Sequence, residues 1–228
     1  MQKRKPVCTK AVIFDFNGTL FDDTDFHNQA WTEFFRNHGI HLTRDDINNK
    51  IHGFTNREIL ERFLKRSLTY EEHSEFYEEK ENIYRQICHL KKELCVLTKG
   101  SAEFLDYLNI TKIPRTIATA SYLTNVKMYF EMFSLSRWFD LSKVVYDSGE
   151  FRGKPNPDMY LAASENLGVH PGECMIIEDS KSGVEAAKNA GAGIIIAVSF
   201  NNNHEKFRDY GYIDQIIDDF TRLKHYFS

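Results

Sequence analysis

Asp15 ends an unbroken apolar run, Ala11-Val-Ile-Phe14, and is followed by the turn dipeptide Asn17-Gly18. A carboxylate so placed can attack an electrophile or ligate a hard cation. It can also do no more than cap a turn. Three other stretches, like it, lie at or just beyond a strand end or a helix start. Thr119-Ala120-Ser121 closes the run 115–120, Lys154 lies in Gly153-Lys-Pro-Asn-Pro-Asp158, and Glu178-Asp179 follows the apolar run 174–177. Together they offer three carboxylates, one ammonium and small hydroxyls. Two or three carboxylates with a backbone carbonyl suit Mg²⁺, which takes oxygen ligands and keeps waters and substrate phosphate oxygens. Such a metal would offset repulsion between the acids and an incoming anion and leave Asp15 to attack phosphorus in line. Lys154 would neutralise charge on the transferring group, and Thr119 with backbone amides would bind a phosphate oxygen. Singly, Lys154 reads as a surface lysine at a helix cap and Glu178-Asp179 as acids at a helix N-terminus. In this order and company, that reading is improbable.

The elements that must position these residues follow from periodicity. Ala11–Phe14 reads as a strand buried on both faces. From residue 24 to residue 93 helical spacing takes over, with apolar stripes Trp31/Phe34/Phe35, Ile59/Leu60/Phe63/Leu64 and Phe76/Ile83/Ile87/Leu90/Leu94. Alternation then returns. Helices are expected over 101–108, 123–133, from Asn156 (N-cap) and Pro157 (N1) to 167, up to 190, and over 220–226. Strands are expected over 115–120, 143–146, 174–177, 193–198 and 212–217. Strands alternating with helices imply a parallel sheet covered on both faces, and its carboxyl-end edge would collect all four stretches. The expectation is therefore an α/β protein: a Rossmann-like parallel-sheet core (1–23 plus 94–228) with an inserted all-helical cap (24–93).

Composition narrows the class. The 228 residues carry 42% hydrophobic side chains and a net charge of −4. That supports a packed core and gives no basic surface for nucleic acid. Lys3-Arg4-Lys5 reads as a short solvated tail. The four cysteines, Cys8, Cys88, Cys95 and Cys174, form no C-x-x-C pair; Cys8 and Cys174 read as buried thiols. No signal peptide or long apolar span is evident. The expected protein is cytoplasmic, a monomer or weak dimer, without nucleic-acid or membrane partners.

With Asp15-Phe-Asn-Gly-Thr-Leu20, Thr119-Ala-Ser121, Gly153-Lys-Pro-Asn-Pro-Asp158 and Glu178-Asp-Ser-Lys-Ser-Gly183 in this order, the chain resembles the haloacid dehalogenase-like superfamily of phosphotransferases, in its β-phosphoglucomutase-like group. The resemblance covers nearly the whole chain. It implies that Asp15 is the nucleophile and forms an aspartyl-phosphate, and that Thr119 binds phosphate beside Lys154. It implies that Glu178, Asp179, Asp15 and the backbone carbonyl of Asn17 hold Mg²⁺. Gly18, Thr19, Ala120 and Ser121 are the adjoining substrate-binding positions. The departure is Asn17, where family phosphatases and mutases usually carry a second aspartate as general acid and base. Asparagine keeps the carbonyl and cannot shuttle a proton, a change worth roughly 10²–10⁴ in rate. The group's dehalogenases also lack that aspartate but work without metal, whereas the metal-type acids here are intact.

In the helical stretch, His27 and the loop His52-Gly53-Phe54-Thr55-Asn56-Arg57 correspond to positions that face the site in the group. Gly53 and Arg57 are expected substrate contacts, and His27 is as readily a helix-surface histidine. Lys80 reads as a solvated charge. Tyr122 and Leu123 stand where the mutases often carry polar residues. The expected activity is Mg²⁺-dependent hydrolysis of a small phosphorylated metabolite. The alternatives are a sugar-phosphate mutase and a low-turnover binding or regulatory protein. If an acid replaces the missing carboxyl, the candidates are His27, His52, Asp22 and Asp23.

Overall fold

The computed structural model describes residues 9–51, 54–200 and 203–227. The chain divides into two compact units, Met1–Asp22 with Val96–Ser228, and Asp23–Cys95. Lys3-Arg4-Lys5, Cys8, His52, Gly53, Asn201 and Asn202 lie outside the described residues.

The first unit is built on five parallel strands: β1 Ala11–Phe14, β2 Arg115–Ile117, β3 Cys174–Glu178, β4 Ile194–Val198 and β5 Gln215–Ile217. Their order in the sheet is β2-β1-β3-β4-β5. Helices join them, Ser101–Ile110 between β1 and β2, Leu123–Met132 and Asp158–Leu167 between β2 and β3, and Lys181–Asn189 between β3 and β4. This is the Rossmann-like α/β fold. Strand period 2 sends alternate side chains to opposite faces. Ala11, Ile13, Cys174, Ile176, Ile195 and Ala197 pack with Met159, Tyr160, Ala163, Val184 and Ala187. From the same strand β1, Phe14 meets the rings of Phe104, Phe139 and Phe220 at centroid distances of 6.2, 5.9 and 6.2 Å. With apolar cover on both faces, β1, β3 and β4 are buried at every position, which is why they read as continuous apolar runs. The chain passes from β1 to β2 on one side and then to β3 on the other. The strand order therefore reverses at β1, the place where such sheets bind ligands. Register fixes the edge: Phe14 pairs with both Ile117 and Ile177, and the Asp15 amide donates to the Ile177 carbonyl at 2.9 Å.

The second unit is helical, Thr24–Asn37, Arg44–Asp46 continuing into a π-helical turn Ile47–Ile51, Asn56–Leu64 and Tyr70–Leu90. Three of these helices start with a capping box, Thr43/Asp46, Thr55/Glu58 and Thr69/Glu72, which satisfies orphan N–H groups from both directions. Trp31, Phe34 and Phe35 pack on one another and on Phe63 and Phe76.

Several local expectations fail for identifiable reasons. Residues 143–146 form no strand. Leu141–Lys143 is a 3₁₀ turn, and a single bridge joins Ala118 to Val145. Asn156 is not the N-cap of its helix; Pro157 holds that place, and the Asn156 amide donates instead to the Gly153 carbonyl at 2.9 Å. Residues 220–226 hold only the 3₁₀ segment Leu223–Phe227. The stripe on Tyr70–Leu90 is rotated. Leu90 and Leu94 are exposed, and the buried face is Tyr77, Lys80, Glu81, Ile83, Tyr84, Ile87 and Cys88. Lys80 is consequently not solvated but 2% exposed.

Candidate active site

Three strand ends and one loop bring the four stretches together. Asp15 follows β1, Thr119 lies two residues past β2, and Glu178 is the last residue of β3 with Asp179 next to it. Lys154 arrives from the loop before helix Asp158–Leu167. Its ammonium donates to Asp15 Oδ1 at 2.7 Å and to Glu178 Oε1 at 2.5 Å, and its side chain is 9% exposed. Carboxylate oxygens of Asp15, Glu178 and Asp179 lie within 4.8 Å of one another.

Backbone shape makes room for this crowding. Gly18 has φ +74°, and a Cβ there would overlap the Asp179 carboxylate; a Cβ at Gly183 would overlap that of Glu178. Both positions must lack a side chain, and Gly18 also needs the left-handed conformation that glycine adopts without strain. Helix Lys181–Asn189 starts beneath Glu178. Ser180 caps it by accepting from the Gly183 amide at 3.0 Å, while its own amide and hydroxyl donate to Glu178 Oε2 at 2.6 and 2.9 Å. Tyr160 donates to Glu178 Oε1 at 3.2 Å.

The electrostatics record an unresolved excess of negative charge. Burial alone would lower the Lys154 pKa, but the Asp15 and Glu178 charges prevail and hold it well above the usual lysine value. Burial, then the charges of Glu178 and Asp15, push the Asp179 carboxyl well above the carboxylate range, with Lys206 and Lys154 opposing. Burial and Glu178 likewise raise the Tyr160 phenol. Three converging oxygens of this kind suit a hard divalent cation, which would relieve the repulsion the side chains leave behind. The donor set and the two glycine positions fit such an ion.

Beside the acids sits a hydroxyl cage around Asn17. Its Oδ1 accepts from Ser121 Oγ at 2.8 Å and Thr119 Oγ1 at 3.3 Å, and its Nδ2 donates to Tyr129 Oη at 2.8 Å. The Ser121 amide donates to Thr119 Oγ1 at 3.1 Å, and Thr19 Oγ1 lies 3.4 Å from Asp179 Oδ1.

The sequence family of haloacid dehalogenase-like hydrolases matches residues 12–197. The chain belongs to this family. Among its relatives, the phosphorylated carbohydrates phosphatase of Thermotoga maritima is 30% identical over 197 residues, 86% of this chain and 88% of that protein. The β-phosphoglucomutase of Bacillus subtilis is 30% identical over 187 residues, 80% of each chain. The crystal structure of a family IA, variant 3 hydrolase from Entamoeba histolytica superposes with a TM-score of 0.89 at 34% identity, covering 96% of this chain and 98% of that one. The protein is thus an enzyme, a phosphatase-type hydrolase of β-phosphoglucomutase-like kind.

In this hydrolase Asp15, Asn17, Gly18, Thr19, Thr119, Ser121, Lys154, Glu178 and Asp179 are drawn together by the contacts above; Ala120 lies in the same turn, between Thr119 and Ser121. His27 and Arg57 belong to the helical unit. Arg57 pairs with Glu61 at 3.0 Å and donates to the Leu68 carbonyl. His27 Nδ1 faces the Lys80 ammonium at 2.7 Å, and its Nε2 faces Asp23 Oδ2 at 3.2 Å. An ammonium only donates, so Nδ1 is the accepting nitrogen of that contact. Both ring nitrogens are engaged within the helical unit. Tyr129 and Lys206 also belong to the site and carry no motif signal. Lys206 donates to the Asp179 carbonyl at 2.8 Å. Among the described residues no helix is long and apolar enough to cross a membrane.

Proposed function

We propose that this hydrolase is a Mg²⁺-dependent phosphatase of a small phosphorylated metabolite, with Asp15 as covalent nucleophile. The observation carrying this reading is the convergence of the Asp15, Glu178 and Asp179 oxygens within 4.8 Å of one another, with the Lys154 ammonium bonded to Asp15 and Glu178. Asp15, Glu178, Asp179 and the Asn17 carbonyl would hold the ion, which supplies charge neutralisation and orients the phosphoryl group.

The chain's own residues do the rest. Lys154 holds Asp15 Oδ1, which fixes the carboxylate's orientation and places positive charge where the phosphoryl oxygens gain negative charge. An Asp15 carboxylate oxygen forms a bond to phosphorus as the bond to the ester oxygen breaks, and the alkoxide or phenoxide departs with that electron pair and takes its proton from solvent. Water then cleaves the aspartyl-phosphate, which returns the carboxylate and releases inorganic phosphate. Thr119 and Ser121 turn their hydroxyls from Asn17 to the phosphate. Asn17 cannot protonate the departing oxygen, so esters of acidic alcohols are the fast substrates and alkyl esters the slow ones.

A panel of alkyl, aryl and acyl phosphates, assayed with Mg²⁺ and with excess chelator, tests the proposal. Metal-dependent release of inorganic phosphate, fastest from aryl or acyl esters, is expected. An isomerised sugar phosphate would instead indicate a mutase, and tight binding without turnover a regulatory protein, the reading that Asn17 favours among the alternatives. Full activity in chelator would exclude metal assistance.

A further inference from the structure

Asp179 sits between two ladders. Glu178 before it closes β3 and pairs with Ala197 of β4. Ser180 after it caps helix Lys181–Asn189, and the Ser180 carbonyl receives the Val184 amide at 3.0 Å. Glu178 and Ser180 are tied to each other within their own motif. A backbone carbonyl in such a turn still needs a partner. Lys206, 27 positions away, provides one for Asp179, with its Nζ donating to the carbonyl at 2.8 Å. The carboxylate of the same residue is restrained from elsewhere. Thr19 Oγ1 lies 3.4 Å from Oδ1, and a Cβ at Gly18 would fall 2.4 Å from Oδ2. Lys206 is itself held in place. It lies in the 3₁₀ turn His204–Phe207, its neighbour Phe207 is buried in the core, and its ammonium is 4.8 Å from that ring's centroid.

We propose that Lys206 is a positioning residue that sets the aim of the Asp179 carboxylate, and through it the preference of the site for Mg²⁺ over Ca²⁺. Mg²⁺ demands near-ideal octahedral geometry, whereas Ca²⁺ accepts varied ligand numbers and angles. A ligand whose backbone is free to swing therefore costs Mg²⁺ more than Ca²⁺. The charge of Lys206 works in the opposite direction. A nearby ammonium repels a bound cation, and it repels two divalent ions alike. The ratio of the two affinities cancels the charge effect and leaves the geometric one. The inference rests on the metal-dependent reading above and adds to it the residue that makes the metal site selective.

The experiment is calorimetric titration of Mg²⁺ and, separately, Ca²⁺ into the full chain, in wild type, Lys206→Met and Lys206→Arg. Lys206→Met keeps an apolar stem beside Phe207 and removes both donor and charge. It is expected to weaken Mg²⁺ binding and to lower the ratio of Mg²⁺ to Ca²⁺ affinity about tenfold, the lower end of what losing an outer-shell partner costs. Lys206→Arg keeps a charged donor and is expected to recover most of the ratio. Tighter binding of both ions in Lys206→Met, as loss of charge alone would give, overturns the inference while the phosphatase reading stands. So does an unchanged ratio, an equal loss for both ions, or a fall in Lys206→Arg as large as in Lys206→Met. Wild type that binds no Mg²⁺ overturns both. Should Lys206→Met not fold, Lys206→Ala removes the same donor and carries the same expected fall; no fall there counts against the inference.

Discussion

Each unit of this protein buries a lysine among carboxylates, and the two clusters differ in how their charges are resolved. In the helical unit Lys80 donates to Glu81 at 2.8 Å and faces His27 at 2.7 Å, with the Trp31 ring 5.1 Å away. Asp23 accepts from Tyr84 at 2.6 Å and faces His27 Nε2. The two acids are met by different partners, and each contact is local to a pair of packed helices. In the α/β unit Lys154 is shared by Asp15 and Glu178, and Asp179 converges on the same point. Repulsion is left over there, visible in the raised Asp179 carboxyl. A buried ion pair alone says little about function. Like charges forced together at a strand-order reversal, with glycines making the room, call for a ligand to complete them.

The comparison breaks most sharply at the nucleophile. Asp15→Asn is expected to abolish phosphoryl transfer, a fall of at least about 10⁴-fold, with the far-ultraviolet circular dichroism unchanged. Wild-type turnover in that variant would refute the covalent mechanism. Next comes Asn17→Asp, which restores a carboxylic acid beside the nucleophile and should raise alkyl-ester turnover within the roughly 10²–10⁴ range of general acid–base catalysis, and aryl-ester turnover less. Because Asn17-Gly18 is prone to deamidation, peptide mass spectrometry of the wild type must accompany the rates. Equal alkyl-ester rates in clean preparations would show that position 17 does not limit turnover.

The helical cluster should respond in stability. Lys80→Met removes the cation shared with Glu81 and His27 and should cost about 3–5 kcal/mol, as when one partner of a buried pair is lost, read from denaturant unfolding. A cost below about 1 kcal/mol would mean that the cluster is not structural. A smaller effect is expected at the cradle. Gly183→Ala places a methyl group against the Glu178 carboxylate and should cost about 1–3 kcal/mol by overpacking, with Mg²⁺ affinity falling as well. Unaltered Mg²⁺ affinity would separate the glycine from the site.

What the sequence made legible follows from how local each signal is. Three of the four motifs could be read because each lies at or just past a strand terminus, where an apolar stretch stops on a polar residue, and the fourth, around Lys154, because it precedes a helix start. Asp15, Thr119 and Glu178 needed no knowledge of the fold beyond that. Lys206 and Tyr129 were not legible, since nothing beside them in sequence shows that they touch Asp179 and Asn17. Lys80 was misread for a different reason. Lysine is rarely buried, and the stripe through Phe76 and Leu90 hid a second one, Tyr77, Lys80, Glu81, Tyr84, Ile87 and Cys88, on the face that packs. The spacing of that second stripe is equally helical, so polarity decided the wrong way. The boxes Thr43-x-x-Asp46, Thr55-x-x-Glu58 and Thr69-x-x-Glu72 were open to reading as helix starts and delimit the helical unit's segments better than its apolar residues do. The 3₁₀ endings at Leu141–Lys143 and Leu223–Phe227 carry too few residues for any period to register.

The most direct test of the contrast between the two clusters is calorimetric titration of Mg²⁺ into wild type, Asp179→Ala and Glu81→Gln, which needs no substrate. The account predicts that wild type and Glu81→Gln bind with equal affinity and that Asp179→Ala binds at least about tenfold more weakly. Equal binding by all three, or weakened binding in Glu81→Gln alone, would contradict it.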